Sequence, residues 1–135
     1  MAVLVLTDAS ITINSVALGD HSNTVTLNYE KDSVEVTAFG MTGHKFTGGL
    51  QNNSLDIDLM QDFAAANVEA TIFPLVGTQT TVVIKPTSDA VSATNPSYTL
   101  TDTFLAAHTP VAGAVGELAM TSLSFTGGVL TKATS

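Results

Sequence analysis

At 135 residues the chain suits a single domain, large enough to bury about two-thirds of its unfolded surface. Only 12% of its residues are charged, roughly half the usual share, and the charge is lopsided: four lysines, no arginine and twelve carboxylates give a net charge of −8. That balance excludes stable nucleic-acid binding, which needs clustered cations to displace counterions from phosphate, and the lack of cysteine excludes disulfides, thiolate metal sites and a cysteine nucleophile.

In chain order, residues 1–8 (MAVLVLTD) carry no basic start, and their apolar run is too short for a signal or membrane segment. They read as an initial strand over residues 3–6, in a protein made in and used from a cytoplasm with no membrane partner. A short strand at 11–13 and a loop at 19–23 (GDHSN) follow. Residues 24–29 alternate Val25, Leu27 and Tyr29 against Thr24, Thr26 and Asn28. Residues 33–38 alternate Val34, Val36 and Ala38 against Ser33, Glu35 and Thr37. Period two over both runs predicts a β-hairpin with Glu30, Lys31 and Asp32 at its tip.

Residues 39–49 (FGMTGHKFTGG) differ in kind, with four glycines and the large apolar Phe39, Met41 and Phe46 in one stretch. The pattern predicts a flexible loop that orders on a partner, with His44 and Lys45 beside the apolar side chains. The stretch 54–77 organises the chain. Leu55, Ile57, Leu59 and Phe63 alternate with Asp56, Asp58, Met60 and Asp62, the pattern of a strand with one dry and one wet face. The period then changes: Asn67 is placed to cap a helix, Glu69 lies in its first turn, and Val68, Ile72, Leu75 and Val76 share one face. Pro74 ends that helix near Phe73 and leaves a turn to Gly77.

Residues 79–85 (QTTVVIK) read as a strand stopped by Pro86, and 86–96 as a loop. Residues 98–107 form a strand with Tyr98, Leu100 and Phe104 facing inward, and 109–116 a Gly/Pro loop. Residues 117–125 form another strand, with Leu118, Met120 (or Ala119 in the shifted register), Leu123 and Phe125 inward. Gly127 and Gly128 then release a C-terminal arm at 129–135, either mobile or an added edge strand, with Val129, Leu130 and Lys132 as its contacts. The sum is a mainly β fold of about seven strands, a β-sandwich or partly closed barrel with one short flanking helix.

Catalytic and metal signatures are absent. His21, His44 and His108 are far apart and lack ligand spacing. Gly48–Gly49 and Gly127–Gly128 are not phosphate loops, and no Gly-x-Ser-x-Gly occurs. Asp56 and Asp58 share one strand face, as a solvated surface or, in a ring, as the lining of an acidic channel. No cofactor and no enzymatic activity are expected.

Four blocks carry a resemblance across residues 20–130: 34–40 (VEVTAFG); 46–50 (FTGGL); 61–65 (QDFAA) leading to 71–78 (TIFPLVGT); and 95–98 (NPSY) with 113–119 (GAVGELA). In order and spacing the chain resembles the small tail tube (major tail) proteins of long-tailed bacteriophages, especially phages of actinobacteria. The resemblance implies a β-sandwich with a flanking helix that forms hexameric rings, stacked into a tube around a tape-measure protein, through which DNA later passes. It implies a virion protein whose partners are its own copies and other virion proteins: tape measure, terminator, baseplate or capsid. The 39–49 loop and the C-terminal arm would bridge subunits, and Asp56 and Asp58 would face a lumen that repels DNA. Capsid decoration and head–tail joining or tail terminator proteins share related folds and stand as alternatives. A secreted adhesive or carbohydrate-binding β-sandwich is more remote, since the chain has no Trp and only Tyr29 and Tyr98 as platforms.

Overall fold

The computed structural model describes residues 9–63 and 68–134; the expected strand at 3–6 and the Asn67 cap lie outside them. Ten strands follow one another: β1 (Ser10–Ile13), β2 (Val16–Ala17), β3 (Ser22–Asn28), β4 (Lys31–Glu35) and β5 (Phe46–Gln51), then β6 (Ser54–Met60), β7 (Gln79–Lys85), β8 (Ser97–Leu105), β9 (Met120–Thr126) and β10 (Val129–Ala133). Eight form one antiparallel sheet in the order β2-β1-β7-β8-β9-β6-β3, with β10 also on β8; β4 and β5 pair only with each other. The sheet folds back on itself, because Ile11 and Ile13 of β1 share one buried core with Leu55, Ile57 and Leu59 of β6. No ladder joins β3 to β1 or β2 among the described residues, so the barrel stays open along that seam.

β6 behaves as its alternation requires: Leu55, Ile57 and Leu59 are buried and Asp56 is exposed. The strand stops at Met60, so Phe63 stands outside it with 64% of its surface exposed rather than on the inward face. Beyond it, α1 (Val68–Ile72) runs into a 3-10 turn, Phe73–Leu75, with Pro74 in its opening turn where a missing N–H is tolerated. Val68, Ile72 and Leu75 close one end of the core, whereas Val76 is extended and partly exposed, off the expected helical face.

The expected hairpin of 24–29 on 33–38 does not form. β3 pairs with β6 and β4 with β5, so both halves belong to one long hairpin whose two arms run 22–35 and 46–60. Glu30 is no turn: its N–H donates to the Asn53 side chain and its carbonyl accepts the Asn52 N–H, which carries the ladder across. The loop expected at 39–49 is also shorter, since Phe46–Gln51 is strand. Glycines fit there because the register shifts between Lys31 and Ser33, crowding Gly49 against the other arm. A Cβ on Gly49 would stand 3.2 Å from Val34 Cγ2.

β8 changes phase part-way. Leu100 faces the core, Asp102 adopts a left-handed φ of 59°, and Thr103 and Leu105 then face inward. This irregularity turns Phe104 outward, contrary to the alternation read from sequence. Leu118 likewise sits exposed in the loop before β9, whose inward residues are Thr121, Leu123 and Phe125. Opposite the irregularity, Gly127 and Gly128 (φ 77° and 92°) interrupt the strand, and β10 resumes on β8 in the register β9 left: Thr126 opposite Phe104, then Val129 opposite Thr101. The C-terminal stretch is thus an added edge strand over Val129–Ala133.

A Cβ on Gly128 would lie 2.6 Å from the Thr101 carbonyl oxygen, in a backbone conformation that only glycine adopts freely. Gly128→Ala is expected to cost about 1–3 kcal/mol and to lower the midpoint of thermal denaturation. An unchanged midpoint would show that β10 does not depend on this close approach.

Candidate assembly surfaces

Every residue from 28 to 50 is exposed, so β4 and β5 form a ribbon that leaves the barrel without covering it. At about 3.3 Å per residue its tip stands roughly 30 Å beyond the end of β3. The tip is a tight turn in which the Met41 N–H donates to the Ala38 carbonyl and Gly40 takes a φ of 89°. Phe39 occupies the turn's outer corner and is fully exposed, at 108%. Strand pairing sets Val34 on one face, and Glu35 with Phe46 on the other. Glu35 Oε2 accepts from Thr37 Oγ1 at 2.9 Å and meets His44 Nδ1, and the His44 ring lies 6.5 Å from that of Phe46. The structure thus brings His44 and Phe46 together, places Phe39 and Met41 at the apex, and leaves Lys45 without an ion pair among the described residues.

The ribbon's neck depends on Asn53, which is 1% exposed. Its Oδ1 accepts the Glu30 N–H, while its Nδ2 donates to Gln51 Oε1 at 2.9 Å and to the Gly128 carbonyl at 3.1 Å. Gln51 Oε1 in turn accepts the Leu130 N–H at 3.0 Å. One carboxamide therefore ties both ribbon arms to the start of β10. Sequence reasoning passed over Asn53 because two adjacent asparagines between alternating runs look like an ordinary turn.

The outer face of β3, β6 and β9 is ordered in cross-strand rows: Thr24, Asp58 and Ser122; Thr26, Asp56 and Ser124; Asn28, Ser54 and Thr126. Ser122 donates to Asp58 at 2.7 Å and Ser124 to Asp56 at 3.0 Å. Over these rows the face is polar, with the two carboxylates as its only charges and no lysine, and the Met60–Met120 pair continues it toward the end of β6. Leu130 of β10 is half-buried and lines a groove of about 400 Å³ with Val25, Leu27 and Tyr98, while Val129 is exposed and Lys132 pairs opposite Tyr98.

At the far end of β6 from the ribbon, a polar network fastens the 106–119 loop to α1. His108, its side chain 2% exposed, meets Glu69 Oε2 through Nε2 at 2.8 Å and Thr121 Oγ1 through Nδ1 at 3.1 Å. Gln61 Nε2 donates to the Pro110 carbonyl at 2.7 Å. Held this way, the loop presents Val111, Val115 and Leu118 to solvent. His21 clamps the same end, with Nδ1 and Nε2 each 2.8 Å from a carboxylate, of Asp20 and Asp62. Hydrogen bonds to Asp62 and then Asp20 raise its pKa above the ordinary value of 6.5. Among the described residues no three His, Asp or Glu side chains converge as metal ligands, and no helix is long and apolar enough to cross a membrane.

No protein-family model matches the chain, and no curated protein does. Solved structures do. A chain of the sheath-tube complex of an extracellular contractile injection system in its extended state aligns over 98% of this chain and 93% of its own, with a TM-score of 0.71 and 9% identity. A chain of that system's sheath/tube terminator aligns over 98% and 97%, with a TM-score of 0.72 and 11% identity. A chain of the virion of a native gene transfer agent aligns over 93% and 95%, with a TM-score of 0.61 and 13% identity. The fold is tail-tube-like.

Two outcomes follow. Asn53→Ala leaves the Glu30 N–H and the Gly128 carbonyl without partners and is expected to cost about 1–3 kcal/mol, measurable by urea unfolding. The His21 clamp stabilises the charged ring, so its contribution is full below pH 6.5 and fades as pH rises through the higher folded value. His21→Gln should therefore destabilise at acidic pH and converge on wild type at alkaline pH in thermal melts; a pH-independent difference would contradict the clamp.

Proposed function

We propose that this protein is a non-enzymatic structural subunit of a phage-type tail, a tail tube protein whose copies form rings, six-membered in the resemblance, that stack into a tube. The observation that carries the reading is the bare ribbon. Tyr29, Val34, Val36, Phe39, Met41, Phe46 and Leu50 are all exposed on one projecting element, in a fold whose full-length likenesses come from tube, terminator and virion assemblies. A side chain of that size contributes about 1.5–3 kcal/mol when fully buried, and among the described residues none covers these. A neighbouring subunit is the natural cover.

The remaining surfaces fit the same reading. The free edge of β3 and the opposite border of the sheet are templates for lateral pairing around a ring. The serine, threonine and aspartate rows then face the lumen. Carboxylates of Asp56 and Asp58 disfavour close approach of duplex phosphates, and hydroxyls shape the rest without sticking; screening confines the repulsion to about 8 Å at physiological salt. Partners would be further copies and the proteins at the tube's ends, the site of action the virion, and the resemblance of the sequence blocks points to phages of actinobacteria. A tube terminator is the second reading, favoured by the equally full match to the sheath/tube terminator.

Negative-stain electron microscopy of purified protein over a concentration and salt series tests this. Stacked hollow rings are the expected result, single rings that never stack favour the terminator, and binding to emptied capsids without rings favours decoration. Replacing residues 38–45 by a two-residue turn should abolish polymerisation while leaving the denaturation midpoint within a few degrees of wild type. Tubes that persist would remove the ribbon tip from the interface.

A further inference from the structure

The two ends of β6 carry different apolar surfaces. At one end the ribbon tip presents Phe39 and Met41; at the other, the loop held by the His108 and Gln61 bonds presents Val111 and Val115, the latter fully exposed at 106%. Their charges are complementary. The ribbon's carboxylates, Glu30, Asp32 and Glu35, lie on its first arm, and Glu35 is engaged by His44; from Val36 to Leu55 the sequence contains none, and Lys45 is the one lysine in that stretch. Residues 61–76 and 106–119 hold Asp62, Glu69 and Glu117 and no lysine. Asp62 and Glu69 are engaged by His21 and His108, which leaves Glu117 on the exposed loop as the carboxylate open to a partner.

We propose that the ribbon tip of one copy docks on the 106–119 loop of a second copy, with Phe39 and Met41 against Val111 and Val115, and Lys45 beside Glu117. The occupant is a second copy of this chain, because the two surfaces complement each other in polarity and in charge. They lie at opposite ends of one strand and are unlike, so the contact is heterologous: each copy offers a tip in one direction and a loop in the other, and the series does not close on a dimer. This rests on the tail-assembly reading and adds to it the surface that receives the ribbon. The loop thus has two layers of function. Its buried side is polar and anchored, and its outer side is apolar and free.

The test uses two point variants at fully exposed positions, Phe39→Asp and Val115→Asp, each with an unchanged denaturation midpoint as the folding control. Alone, each should fail to form stacks by sedimentation velocity and electron microscopy. Mixed in equal amounts, they should give a species of twice the unit that either forms alone, and stop there, because the intact tip of V115D fits the intact loop of F39D once. As a second measurement, Thr42→Cys protein mixed with Ala114→Cys protein should form an intermolecular disulfide on mild oxidation, which is unambiguous in a chain without cysteine. Wild-type stacks together with V115D stacks of equal length would overturn the inference while leaving the tail reading intact. A wild-type chain that never associates would overturn both.

Discussion

A single buried carboxamide decides how this molecule is divided. Asn53 sits where the long hairpin leaves the barrel, and its bonds reach the incoming arm, the outgoing arm and the start of the C-terminal strand. Inside the barrel, β3 and β6 belong to a ladder that runs on through β9, β8, β7 and β1. Beyond it the two arms have only each other. At the boundary the ladder would have to choose between continuing along β10 and diverging from it. The Asn53 and Gln51 side chains occupy the hydrogen-bonding positions that β10 would otherwise fill, so β10 stays on β8 and the ribbon departs. The cost of leaving those groups without partners in a buried place is what fixes the division.

Much of the fold was legible because its strands are half-buried. Leu55, Ile57 and Leu59 against Asp56 and Asp58 admit one reading, and Val68, Ile72 and Leu75 with Pro74 another. Pairing was less legible. Residues 24–29 and 33–38 look like the two arms of a hairpin because alternation reports which face is dry and says nothing of which strand lies alongside. The side chain that carries the chain past Glu30 comes from Asn53, more than twenty residues away. Phe104 was misplaced for a related reason: a backbone irregularity at Asp102 shifts the phase of β8, and period-two counting cannot see a left-handed residue that is not glycine; Leu118 was misplaced because the strand begins only at Met120. Among the surface residues, the exposure of Phe39, Met41 and Phe46 was legible in their glycine-rich stretch beside His44 and Lys45, whereas that of Val111 and Val115 was hidden in a stretch that reads as an ordinary Gly/Pro loop.

The distribution of polarity separates the surfaces by purpose. The outer rows of β3, β6 and β9 are built from short hydroxyl side chains, with each aspartate held by a serine from the next strand. Short side chains leave a flat, well-hydrated face, which would suit the lumen proposed for it. The ribbon is the reverse, with large apolar groups exposed toward its tip, its charges gathered mostly at 30–35, and glycines that keep it thin. The rows carry no lysine, whereas the ribbon holds Lys31 and Lys45, two of the four in the sequence.

The bareness of the ribbon has a kinetic consequence. A two-stranded ribbon without a third layer is marginally stable in water, so in a lone subunit its end frays readily. If copies dock through the ribbon as proposed, the first such event must supply the ordering entropy of that element. Each later subunit meets a binding surface already held rigid by the one before. In the proposed assembly, growth would therefore be slow to nucleate and fast to extend, with a sharp critical concentration and a lag that a preformed seed shortens. Free subunits would persist through that lag, and growth would start soonest where an ordered ring is already present.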